Sequence, residues 1–179
     1  MDAELRFSEQ ELVLRGVRGQ RLVVPSVNPV NYYQAVTQTP PGAEVAIDGL
    51  FFPSQGNQGQ AAVLMVPGSL GVGENLLTHA ETMLGAGFSV FVLDPFGARS
   101  VTSTVANQTA YSFAASAFDV VAAHQVLAQQ PEIDETKISW QGHSRGGSAV
   151  LTAATRCFID QVAGPEVSPA GVYAVYPWC

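Results

Sequence analysis

From residue 44 to residue 178 the chain alternates short apolar runs with apolar stripes at helical spacing. Residues 45–53 read as a strand, and the polar, glycine-bearing stretch 54–60 reads as a turn. Residues 61–66 form a continuous apolar run, as expected for a strand covered on both faces. Over 74–84, Leu76, Leu77, Ala80, Met83 and Leu84 fall on one stripe and predict a helix, with Gly85 and Gly87 as stop signals. A second apolar strand is predicted over 88–93, closed by Asp94-Pro95-Phe96-Gly97. Residues 109–130 carry Phe113, Ala117, Val120, Val121, Leu127 and Ala128 at helical spacing, and Pro131 ends that helix. Strand 137–141, helix 145–158 and a last buried strand over 171–178 complete the pattern. Repeated strand–helix alternation predicts an α/β domain with a mostly parallel sheet and helices on both faces.

The start of the chain breaks this rhythm. Pro25, Pro29, Pro40, Pro41 and Gly42 interrupt regular structure, and only Leu22-Val23-Val24 suggests a short strand. Residues 1–42 are therefore read as an N-terminal extension and 43–179 as the domain proper. Composition narrows the function. Of 179 residues, 47% are hydrophobic, which suits one folded domain. The net charge of −7 gives no basic footprint for nucleic acid or an anionic membrane. Neither a signal-peptide core nor a membrane-length apolar run occurs, and Cys157 and Cys179 form no disulfide framework or zinc set. These features predict a cytoplasmic protein acting on a small molecule.

One stretch carries chemistry. Gly142-His143-Ser144-Arg145-Gly146 fits G-x-S-x-G, a strand-to-helix turn that raises a serine for nucleophilic attack. Such a turn strains the serine backbone and leaves no room for side chains two residues to either side, so the glycines have a reason. The bland alternative is a helix-capping serine; the strand before and the helix after favour the nucleophile. Acyl transfer also needs donors for an oxyanion. The backbone N–H of Arg145 is one candidate, and Ser69 or Leu70 in Pro67-Gly68-Ser69-Leu70-Gly71 supplies the other. Neither this loop nor any other fits G-x-G-x-x-G or a Walker pattern, which sets nucleotide binding aside.

V-A-I-D-G-L-F-F-P, V-L-M-V-P-G-S-L-G, V-L-D-P-F-G-A-R, G-H-S-R-G-G and A-V-Y-P-W-C occur in that order from Val45 to Cys179. In order and spacing this stretch resembles the dienelactone hydrolase family of the α/β-hydrolase superfamily. The resemblance implies cofactor-free hydrolysis of esters or lactones through an acyl-enzyme. Dienelactone hydrolases proper carry cysteine where this chain has Ser144, and many relatives have His-Gly where it has Pro67-Gly68.

A base for Ser144 is not evident. His143 is expected to pack locally, and His79 and His124 read as helix-surface or edge histidines. The superfamily order is serine, acid, histidine, yet only Asp160 and Glu166 are acidic after Ser144 and no histidine follows. Asp94 reads as a turn former before Pro95. Phe96, Tyr176 and Trp178 fall at strand ends on one edge, where they either line an apolar acyl site or pack in the core. The expectation is the nucleophile-bearing part of a serine esterase or lactonase, lacking its C-terminal strands. A downstream segment or second chain would bring acid and histidine. The rivals are a non-catalytic ligand-binding or assembly domain, and an acyltransferase with the same nucleophile.

Overall fold

The computed structural model describes residues 6–56 and 59–178. After a 3₁₀ turn at Phe7–Glu9 come a short hairpin, β1 (Val13–Leu14) and β2 (Val17–Arg18), then β3 (Gln20–Asn28) and α1 (Tyr32–Thr37). There follow β4 (Ala43–Phe52), β5 (Gln60–Val66), α2 (Glu74–Gly85) and β6 (Ser89–Asp94). A second 3₁₀ turn at Gly97–Arg99 leads to α3 (Phe113–Ala128), β7 (Ile133–His143), α4 (Arg145–Ala153), α5 (Arg156–Val162) and β8 (Gly171–Val175). Six strands make one sheet in the order β3-β4-β6-β5-β7-β8. The ladders joining β6, β5, β7 and β8 are parallel, while β4 runs antiparallel to both its neighbours. The mostly parallel α/β architecture read from the sequence is the one observed.

Alternation along β5 shows how the sheet builds two cores. Leu64 and Val66 join Phe91, Trp140, Val120 and Val150 on one face, under α3 and α4. Val63 and Met65 join Val90, Val92, Leu76 and Ala80 on the other, under α2. Successive side chains of a strand point to opposite faces, so a central strand buried on both sides reads as unbroken apolar sequence. Among the described residues no helix is long and apolar enough to cross a membrane.

Several sequence expectations need correcting. Part of the supposed extension belongs to the sheet: β3 pairs with β4 along its whole length, from Gln20↔Phe51 to Asn28↔Ala43. Pro25 is compatible with this because β3 is an edge strand, where a missing N–H leaves no second neighbour unpaired. The single helix expected over 145–158 is two. Thr155 turns extended (φ −67°, ψ 132°), and its hydroxyl donates to Thr152 O at 2.8 Å rather than permitting another helical turn. Strand β8 is half-exposed rather than buried; among the described residues it has a neighbour on one side only.

His124 is not a surface histidine. It is 4% exposed, and its Nδ1 accepts a hydrogen bond from Trp140 Nε1 at 3.1 Å. Burial lowers its pKa from 6.5 to about 4, and the indole donor already occupies the nitrogen a second proton would need. The folded state therefore favours neutral His124. Its contribution is complete above the unfolded pKa of 6.5 and is lost as pH falls towards 4. Urea denaturation from pH 7 to pH 4 should show roughly 3 kcal/mol lost through this group. The His124→Gln variant should remove that component of the slope, and an unchanged slope would refute the assignment.

Candidate active site

At the carboxyl end of β7 the chain turns abruptly into α4. Ser144 occupies the turn with φ 50° and ψ −114°, a sparsely populated conformation costing on the order of 1–3 kcal/mol. Glycines make the turn possible. A Cβ on Gly142 would lie 2.1 Å from Gly146 O, and one on Gly146 would lie 2.4 Å from Val66 O. Neither position admits a side chain, as the spacing of the motif predicts. Backbone bonds hold the strained residue: Ser144 N–H donates to Val175 O at 3.0 Å, and Ser144 O accepts from Ser148 N and Trp178 N at 3.1 and 3.2 Å.

The loop after β5 meets this turn. Strands β5 and β7 are adjacent and in register at Val66↔Gly142, so both loops leave the same sheet edge. A Cβ on Gly68 would lie 3.4 Å from Ser144 Cβ and 3.2 Å from His143 O. The sequence leads one to expect Ser144, Arg145, Ser69 and Leu70 together; Gly68, the residue before Ser69, lies against the Ser144 turn. Gly71 N–H closes a turn onto Gly68 O at 3.0 Å. Among the described residues the backbone N–H groups of Ser69, Leu70 and Arg145 have no hydrogen-bond acceptor. For Arg145 this follows from its place in the first helical turn, where N–H groups lack an intrahelical partner.

The Arg145 side chain was not anticipated. It is 1% exposed, with its guanidinium 4.6 Å from the Tyr111 ring centre and 4.0 Å from that of Phe113. Its nitrogens donate to Gln108 O at 2.7 Å, Tyr111 O at 2.8 Å and Ser116 Oγ at 3.1 Å. The carbonyls and ring faces offset the burial of this cation, which has no carboxylate within ion-pair distance among the described residues. Burial raises the Tyr111 hydroxyl above its ordinary range.

The three aromatic residues are not brought into one wall. Phe96 is buried, edge-on to Tyr111 with ring centres 5.6 Å apart, and lies beside Gly71 of the loop after β5. Tyr176 is exposed on the α2 side, its hydroxyl 3.4 Å from His143 Nδ1. Trp178 stacks on Phe113 at 5.2 Å, on the α3 side. Tyr176 and Trp178 thus straddle the Ser144 turn. A cavity of about 850 Å³ opens elsewhere on this sheet edge, lined by Asn28, Tyr32, Arg99, Tyr111 and Phe113 among others.

Among the described residues no histidine hydrogen-bonds Ser144 Oγ. His143 is buried, its Nε2 2.9 Å from Gln141 Nε2 and its ring edge-on to His79 at 4.8 Å. Burial first, then the neighbouring His79, lowers its pKa, so it favours the neutral form. Asp94 Oδ1 accepts from the N–H groups of Phe96 and Gly97 at 3.0 and 3.1 Å, which makes it a turn former. Burial raises its pKa. Asp160 pairs with Arg156 on α5. Among the described residues no group of three or more His, Cys, Asp or Glu is placed to hold a metal ion. Cys157 is an exposed free thiol, and Cys179 lies outside the described residues.

No protein-family model and no curated protein matches this sequence. Solved structures do match. An acetyl xylan esterase from Paenibacillus sp. R4 is 18% identical with a TM-score of 0.59, the match covering 94% of this chain and 52% of that one. A protein assigned as a dienelactone hydrolase from Klebsiella pneumoniae subsp. pneumoniae is 11% identical with a TM-score of 0.57, covering 88% and 60%. The α/β-hydrolase GrgF from Penicillium sp. sh18 is 21% identical with a TM-score of 0.50, covering 75% and 41%. The chain spans about half the length of the solved structures it matches. At these identities the likeness establishes the fold, which is that of α/β-hydrolases and dienelactone hydrolase-like proteins.

Proposed function

We propose that this α/β-hydrolase-fold chain carries the nucleophile of a serine carboxylic-ester hydrolase, acting on a small ester or lactone. One observation supports the reading above the others: a serine at φ 50° between two glycines, beside a loop whose Ser69 and Leu70 N–H groups are free. A capping serine needs neither the strain nor the facing loop, and Ser144 makes no side-chain cap bond. In the proposed reaction Ser144 Oγ attacks the carbonyl carbon, and the carbonyl oxygen gathers negative charge facing Arg145 N–H and that of Ser69 or Leu70. The C–O bond to the alcohol then breaks and the alcohol departs with a proton. Water attacks the acyl-enzyme and releases the acid, restoring the serine hydroxyl. A histidine and its acid reaching Ser144 from a further segment or a second chain would serve as the base. The reading uses no metal or organic cofactor.

The esterase names of several fold neighbours agree with this reading. The test is covalent labelling by an alkyl fluorophosphonate. One bond per molecule accumulates over hours, so labelling reports the nucleophile even where turnover is slow. Peptide mapping should find the adduct on Ser144, and the Ser144→Ala variant should take up none. A chain that stays unlabelled would instead be a non-catalytic domain keeping only the turn.

A further inference from the structure

Ser69 lies on the loop after β5 and Arg145 at the start of α4, yet both are fastened to one segment, residues 103–111. Ser69 O accepts from Thr104 N at 2.8 Å and from Ser103 Oγ at 3.1 Å. In a trans peptide the N–H points opposite to the preceding carbonyl, so this anchoring turns Leu70 N–H away from residues 103–104. Arg145 is held by Gln108 O, Tyr111 O and Ser116 Oγ. One side chain touches both partners. Ser69 Oγ lies 3.0 Å from Gln108 Nε2 and 3.2 Å from Gln108 Oε1, and Oε1 lies 3.3 Å from Arg145 Nη1. The acceptor role of Oε1 towards a guanidinium, which cannot accept, orients the amide with Nε2 towards the serine.

Resting on the hydrolase reading above, we propose that Gln108 is a positioning residue. It sets the spacing between the Arg145 N–H and the N–H groups of Ser69 and Leu70, and with it the fit of that site to an oxyanion. Gln108 touches no reacting atom; it acts through Ser69 and Arg145. Donors aimed at a developing charge lose their value steeply with displacement, so the spacing matters more to the reaction than to initial binding.

The experiment follows inactivation by an excess of alkyl fluorophosphonate. Ser144 Oγ bonds to phosphorus, the P–F bond breaks, fluoride leaves and the hydroxyl proton passes to solvent. Saturation separates the limiting rate, kinact, from the half-saturating concentration, KI. In Gln108→Ala kinact should fall on the order of 10- to 100-fold with KI unchanged. Gln108→Glu keeps acceptors for both Arg145 and the Ser69 hydroxyl and should restore most of the rate. Ser69→Ala combined with Gln108→Ala should be no slower than Gln108→Ala alone, because the two act through one contact. If Gln108→Ala does not fold, Gln108→Asn, too short to span both partners, is read by the same criteria. A wild-type kinact in these variants, or a loss confined to KI, overturns the inference while labelled wild-type protein keeps the hydrolase reading. A loss that Glu does not rescue and that follows the melting temperature also overturns it. Wild-type protein unlabelled at Ser144 removes the hydrolase reading and this inference with it.

Discussion

The 179-residue chain is expected to hydrolyse a short-chain nitrophenyl ester about a million-fold more slowly than an intact serine triad would. A serine hydroxyl at its ordinary pKa is a poor nucleophile, and among the described residues no histidine bonds Ser144 Oγ. The free N–H groups and binding alone leave on the order of a thousand- to ten-thousand-fold over the uncatalysed reaction. The measurement compares purified wild-type protein with the Ser144→Ala variant under initial-rate conditions. Brisk turnover that vanishes in the variant would contradict the expectation and place a base within reach. His143, one residue from the serine, and His79, packed on its ring, would then be the first substitutions. His124 would not, because it lies on α3, buried against Trp140 of β7.

The largest expected effect on stability lies at Asp119. This carboxylate is 1% exposed and accepts from Arg99 Nη1 and Nη2 at 2.8 and 2.9 Å and from Ser26 Oγ at 2.6 Å. Arg99 also donates to Asn28 Oδ1 and Pro95 O, both at 2.7 Å. The pair thus ties α3 to the edge strand β3 and to the turn after β6. Truncation to Ala would leave a buried guanidinium without its counter-charge and should cost about 3–5 kcal/mol. Urea denaturation reads this as a fall in midpoint at unchanged slope. A loss under about 1 kcal/mol would mean that water or a neighbour compensates the arginine, contrary to this account.

Where the sequence was legible, one local rule decided the outcome. Strands β5 and β6 are covered on both faces, so their apolar runs stand out. The Ser144 turn was legible because a steric demand falls on fixed positions, Gly142 and Gly146, two residues to either side. Legibility failed where long-range contacts decide. Nothing near His124 marks it as buried, since its partner Trp140 is 16 residues away. Gln108 and Arg145 are 37 residues apart, and an arginine after a serine reads as an ordinary surface cation until Tyr111 and Phe113 fold over it. Pro25 misled in the other direction. It breaks strands in general, but an edge strand has a side on which a missing donor costs nothing.

The bonds holding Ser144 have a consequence for local unfolding. Its N–H is given to Val175 at the end of β8, and its carbonyl receives Trp178 N–H just beyond. Among the described residues strand β8 has one neighbour and is half-exposed, and a strand with few buried contacts opens at lower free energy than the centre of a sheet. Each such opening releases both bonds, and the serine backbone is then free to relax from φ 50° towards ordinary values. The strained Ser144 backbone is therefore coupled to the pairing of β8 onto β7, and its population follows the free energy of that pairing rather than the global stability of the domain.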